Sequence, residues 1–167
     1  MSDFSPESEE CPVCHSTENG KVHASYSRSI IDFIHGKPVY QSICVTRMIC
    51  ESCGHTHSIL PDTIIPYSQY SIFFILRVLA EYFAKLKTVA AICEAFAITP
   101  SMLYRWLDLF LKNRSDWRGI LEQKTYTSWD FIKSLVLMDH FSDFSLGFFR
   151  LTGSSFLQSH ANPHFTT

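Results

Sequence analysis

Six cysteines lie in a chain of 167 residues, and four of them form two pairs of identical spacing, Cys11-Pro12-Val13-Cys14 and Cys50-Glu51-Ser52-Cys53. A Cys-x-x-Cys turn brings two thiolates within reach of one ion, while nearby backbone N–H groups point at the sulfurs and spread their charge. Two such turns make a tetrahedral four-sulfur site. Zn2+ suits it best, being redox-inert, free of directional d-electron demand and bound by thiolates at about 2.3 Å. With Cys11, Cys14, Cys50 and Cys53 all engaged, no coordination position remains for water, which makes the ion structural rather than catalytic. His15, His23, His55 and His57 stand near enough in sequence to replace a cysteine in a mixed site, and ordinary unliganded thiols are the remaining alternative. Cys44, mid-strand, and Cys93, mid-helix, read as small core hydrophobes.

A second pattern occupies Thr88 to Leu107, TVAAICEAFAITPSMLYRWL. A helix-turn-helix needs a small residue where its helices cross, a small residue in the turn, and apolar residues that pin the second helix from below. Cys93 and Ala97 fill the small positions; Ile92, Phe96, Ile98, Leu103 and Trp106 fill the apolar ones. Ala97 stands where glycine is commoner. Thr99, Ser101, Met102, Tyr104 and Arg105 are then the outward residues at the start of the second helix, placed to face the major groove of double-stranded DNA. Arg105 suits a guanine or a phosphate, Ser101 and Tyr104 suit phosphate or base-edge hydrogen bonds, and the first helical amides suit a phosphate oxygen. Lys112 and Arg114, with Arg77, Lys85, Lys87 and Arg118, flank the unit and supply a sequence-independent charge contribution. Residues 77–124 carry a net charge of only +3, so a helical pair that merely packs a core or docks a protein is the competing reading.

The elements that must hold these groups follow from local pattern. Residues 1–10 are polar, acidic and aperiodic, as in a disordered leader. Two strands, Lys21 to Phe33 and Val39 to Cys50, flank His35-Gly36-Lys37-Pro38 and make a hairpin between the cysteine pairs, the arrangement of a zinc ribbon. Ser58 to Pro66 carries two prolines and no helical period, which predicts an extended linker. A first helix is expected over Ser68 to Lys87, with Ile72, Leu76, Leu79, Phe83 and Leu86 on one face, and a second over Val89 to Phe96. Thr99 caps a third, with Pro100 at its first position, running to Lys112. After a polar joint, Asn113 to Thr127, Ser128 caps a fourth helix through Trp129, Phe131, Leu135 and Leu137. The remaining stretch carries no clear element. Seven of the fourteen phenylalanines follow residue 125, which implies burial against the helices or a partner subunit.

Composition bounds what such a chain does. With 46% hydrophobic residues it can bury a core, and its formal charge of −2 divides into −4 within the first ten residues and +2 beyond. No export signal precedes the cysteines and no apolar run is long enough to cross a bilayer, so the expected compartment is the cytoplasm, where thiols stay reduced and no membrane is a partner.

The residues also resemble a bacterial family of uncharacterised zinc-ribbon and helix-turn-helix proteins described as transposase-like. The resemblance rests on Arg47-Met-Ile-Cys50-Glu-Ser-Cys53-Gly54-His-Thr56-His57, Leu60-Pro61-Asp62, Pro66-Tyr67, Tyr70-Ser71, Tyr104-Arg105-Trp106 and Gly153-Ser-Ser-Phe156-Leu-Gln158. It departs at His15, where a glycine usually follows the first pair. The resemblance implies DNA binding in the setting of mobile elements. Strand transfer needs an acidic two-metal centre on a separate fold, for which the stretch after Lys112 is too short. Asp130, Asp139 and Asp143 therefore read as helix-end and surface acids. No Ser/His/Asp arrangement or phosphate-cradling glycine loop supports independent catalysis or a small-molecule substrate. The combined expectation is an α+β protein: a leader (1–10), a zinc ribbon (11–60) and a helical domain (61–167) with its helix-turn-helix at 88–112. It binds DNA without catalysis, with a homodimer suited to paired half-sites. The alternatives are an adaptor that docks on a transposase or polymerase, and a transposase fragment lacking its catalytic part.

Overall fold

Residues 20–50 are rich in β-branched and aromatic side chains broken only at His35-Gly36, and both of these residues hold positive φ (49° and 78°). That two-residue turn matches the right-handed twist of paired strands. It joins β1 (Gly20–Ile34) to β2 (Lys37–Cys50) in an antiparallel pairing that runs from Gly20↔Cys50 to Ile34↔Lys37 and shifts register once, at a bulge between Val22 and Ala24. The turn is tighter than the four-residue connection expected, and Lys37 and Pro38 belong to β2. The computed structural model describes residues 9–113, 116, 127–137 and 141–159. The greater part of the expected leader, residues 1–8, lies outside these, as do most of the polar joint, Arg114, Arg118 and Asp139.

β3 (Thr56–Ile59) adds to the base of β2, pairing Thr46↔Ile59 to Ile49↔Thr56, and completes a sheet of order β1-β2-β3. This corrects the extended linker, whose first two residues are strand: β2 offers a free edge beside the second cysteine turn, and Thr56-His57-Ser58-Ile59 leaves that turn already antiparallel to it. The two faces of β2 differ in the middle of the ribbon: Val45 (1% exposed) is buried, while Cys44 points to the opposite face. Cys44 is exposed there, not buried, because none of the described helices covers its face.

The turn end of the hairpin is gripped by the helices. Ile31 donates its amide to Gln69 O (2.6 Å) and accepts that of Ser71 (3.0 Å), and Arg28 donates to Ile65 O (2.9 Å) and Ser68 O (2.5 Å). Residues Ser68–Tyr70, expected in the first helix, serve this edge instead. The helix α1 (Ile72–Ala84) begins after Ser71, whose hydroxyl accepts from Phe74 N (3.1 Å) and donates to Asp32 Oδ1 (2.8 Å). It ends at Lys85 in a left-handed conformation, which leaves Leu86 out of the apolar face and 85% exposed. Six of its residues from Ile72 to Leu79 are buried, so α1 is the central rod of the body.

Around it stand α2 (Val89–Phe96), α3 (Pro100–Lys112), α4 (Ser128–Leu137) and α5 (Phe141–Thr152). Thr127, not Ser128, caps α4: its Oγ1 accepts from Asp130 N (3.2 Å) while Asp130 Oδ2 accepts from Thr127 N (3.3 Å), a reciprocal box. Trp129 faces outward and Ile132 is buried. The stretch without an expected element is α5 and a closing turn. Phe144, Phe148 and Phe156 pack with Phe131 and Phe110 at ring separations of 5.1–6.3 Å, so these late phenylalanines are covered by the chain's own helices, while Phe165 lies outside the described residues. The hairpin joins this core through Phe33, stacked on Phe96 at 4.5 Å and edge-on to Phe74 at 6.1 Å. Among the described residues no helix is long and apolar enough to cross a membrane.

Candidate functional site

The two cysteine turns adopt one backbone design. In the first, His15 N donates to Cys11 O (2.9 Å) and Cys11 N to Ser16 O (2.9 Å); in the second, Gly54 N donates to Cys50 O (2.8 Å) and Cys50 N to His55 O (2.9 Å). Each needs a left-handed residue directly after its second cysteine, and His15 (φ 59°) and Gly54 (φ 71°) supply it. The substitution of histidine for glycine is thus absorbed by backbone strain, and the His15 ring turns away to Glu10 (Nδ1–Oε1 2.6 Å). β1 and β2 bring the turns together by placing Gly20 opposite Cys50.

All four Sγ atoms lie within 4.8 Å of one another, with Cys11–Cys53 at 3.7 Å and Cys14–Cys50 at 3.6 Å. Sulfurs about 2.3 Å from a shared tetrahedral centre are separated by about 3.8 Å, so the donor set fits a metal ion of that geometry. No histidine belongs to the cluster. His57 sits on β3 opposite Met48 with Nδ1 buried and unpartnered; burial, against the pull of Glu9's charge, lowers its pKa and keeps the ring neutral.

Neighbouring dipoles divide the thiols. The Ser16 hydroxyl and then its amide lower the pKa of Cys14. The same hydroxyl brings Cys50 down to about 6 against its burial, helped by the amides of Cys53 and Ser52. The amide of His55 favours the thiolate of Cys53, but burial and three crowding sulfurs push that thiol up to about 12. Four sulfurs this close cannot all ionise unless a cation joins them.

The other predicted site residues that are described lie on α3 or cap it; Arg114 is outside the described residues. Thr99 is the cap, accepting from Met102 N through its side chain (3.3 Å), and Pro100 lacks an N–H, so the helix start retains fewer amides for a phosphate than the sequence suggests. Ser101, Tyr104, Arg105 and Lys112 are exposed; Met102 is half-buried, with Tyr70 Oη 4.0 Å from its sulfur. Leu103, Trp106 and Phe110 are buried beneath. The turn before α3 is made by Ala97 at φ 52°, ψ 45°. Asp108, on the same exposed face as Arg105, escaped the sequence reading, although its spacing from Tyr104 and Arg105 places it there. Of the basic ribbon residues, Arg28 is engaged with the 65–68 turn, Arg47 with Thr56 Oγ1 (2.7 Å) and Lys21 with Glu51 (2.5 Å).

No curated protein and no solved structure matches the chain. One family model, described as Domain of unknown function (DUF6431), matches residues 11–106. That span starts at the first sulfur of the cluster and ends on the buried tryptophan of α3, enclosing the sheet and the helix pair, more than half of the sequence. The chain therefore belongs to the DUF6431 domain family.

Proposed function

We propose that the protein is a non-catalytic DNA-binding protein of the cytoplasm that reads a duplex with α3, in the setting of mobile elements. The observation that carries this reading is the trihelical unit of α1, α2 and α3. The left-handed Ala97 turns the chain between α2 and α3, while Leu103, Trp106 and Phe110 anchor α3 from below and leave Ser101, Tyr104 and Arg105 outward. A major groove is wide enough for one helix, and an arginine near its start can bridge the O6 and N7 of guanine. Lys85 and Lys112, both exposed, are suited to phosphates. Asp108 would accept from a cytosine amino group or repel a misplaced phosphate. Cys11, Cys14, Cys50 and Cys53 would hold a structural Zn2+, which supplies folding free energy to a ribbon with little core of its own.

The deciding experiment is titration of the full chain against a random duplex pool at several salt concentrations. DNA binding requires an affinity that falls steeply with salt, and Arg105→Ala is expected to weaken it about tenfold or more with the melting temperature unchanged. A salt-insensitive result favours a protein-docking adaptor, the reading supported by Tyr104 (50% exposed) and Leu111 (41%) on the outer side of α3. Sedimentation with and without a selected site would test the homodimer expected for paired half-sites.

A further inference from the structure

Ser16 stands just past the first cysteine turn, yet its contacts reach both. Its hydroxyl lies 3.1 Å from Cys14 Sγ and 3.3 Å from Cys50 Sγ, across the 3.6 Å edge that joins those sulfurs, and its carbonyl accepts the Cys11 amide at 2.9 Å. The matching residue of the second turn, His55, repeats the carbonyl contact to Cys50 N but has no hydroxyl. The extra donor therefore sits on one side of an otherwise repeated design. It also sits beside the sulfur that needs it most: Cys14 is exposed, whereas Cys11 and Cys50 are buried. Four thiolates on a divalent ion leave two negative charges uncompensated, and Glu10 and Glu51 add more nearby. A hydroxyl donated to a thiolate disperses that charge, fixes the sulfur's direction and makes it a poorer nucleophile.

We propose that Ser16 is a positioning residue of the metal centre, its hydroxyl clamping the Cys14–Cys50 edge and protecting the exposed Cys14 sulfur from attack. This rests on the reading of the four cysteines as metal ligands. The test compares Ser16→Thr with Ser16→Val in the full chain, two variants of equal shape that differ in the hydroxyl. Competition for Zn2+ against a chromophoric chelator should show valine binding about ten- to a hundredfold more weakly and threonine within a few-fold of the parent. The thiolate-to-metal absorption band of the Co2+-loaded protein should shift in the valine variant and stay in place in the threonine variant. Iodoacetamide labelling mapped by mass spectrometry should reach Cys14 several-fold faster without the hydroxyl. Ser16→Ala is read in the same assays, so a valine variant that does not fold leaves the answer intact. Equal affinity, an unshifted band and equal Cys14 labelling in Ser16→Ala would overturn the role of Ser16 while leaving the metal site standing. A parent chain that takes up neither Zn2+ nor Co2+ would overturn both.

Discussion

Ala97 and His15 each occupy a left-handed position where a Cβ costs roughly 1 kcal/mol relative to glycine. Ala97→Gly is accordingly expected to stabilise the protein by about 1 kcal/mol, or about 2–4 °C in melting temperature at this chain length. Calorimetry on the purified variant measures it, and an unchanged or lower melting point would show that the turn is not strained. Protons compete with metal for the thiols, so affinity must rise with pH. With Cys50 brought down to about 6 and Cys53 pushed up to about 12, Cys53 keeps at neutrality a proton that a metal ion must displace, whereas Cys50 is already largely ionised. Between pH 6 and 8 the apparent Zn2+ affinity should climb more than tenfold per unit if more than one proton leaves per ion. The four sulfurs were legible from spacing alone. Cys44 was not: a mid-strand residue is buried only on the covered face, and here that face holds Val45 while Cys44 points to the other.

Periodicity located the bodies of the helices well and their ends poorly. Val89–Phe96 and Pro100–Lys112 emerged with their boundaries because Thr88, Thr99 and Pro100 are local signals. The start of α1 was misplaced because the residues before it answer to a distant strand: Ser71 is chosen over Ser68 by Asp32, thirty-nine positions upstream. One hydroxyl thus caps a helix and ties it to the hairpin. Ser71→Ala removes both bonds, a loss of about 1–2 kcal/mol by denaturant titration, while the half-buried Asp32 Oδ1 keeps the amide of Phe33 (2.8 Å). If the loss is no larger than that of an exposed cap such as Thr88→Ala, the tie to Asp32 contributes nothing. β3 was missed for a similar reason: four residues hold too little alternation to announce a strand, and only the unpaired base of β2 makes them one.

Across the whole molecule the late phenylalanines act as the closing layer of the core. Phe156, fully buried among Phe110, Phe131, Phe144 and Phe148, is the keystone of that layer. Phe156→Ala should destabilise by about 3–5 kcal/mol, and thermal melts would show whether α4 and α5 detach first or the body unfolds as one. The sequence showed that these rings needed cover; which surface covered them depended on helix directions that composition does not encode. The hairpin sets the remaining dimension. Its turn end is fixed on the 65–71 segment by Arg28 and Ile31 and on α1 and α2 by Phe33, and the sulfur cluster lies at the opposite end, roughly 40 Å along the strands. Such a ladder behaves as a ruler with a fixed grain. Inserting or deleting residues two at a time in both strands would carry the cysteines outward or inward by about 7 Å per step with every side chain still facing its own side, whereas a single residue would invert them.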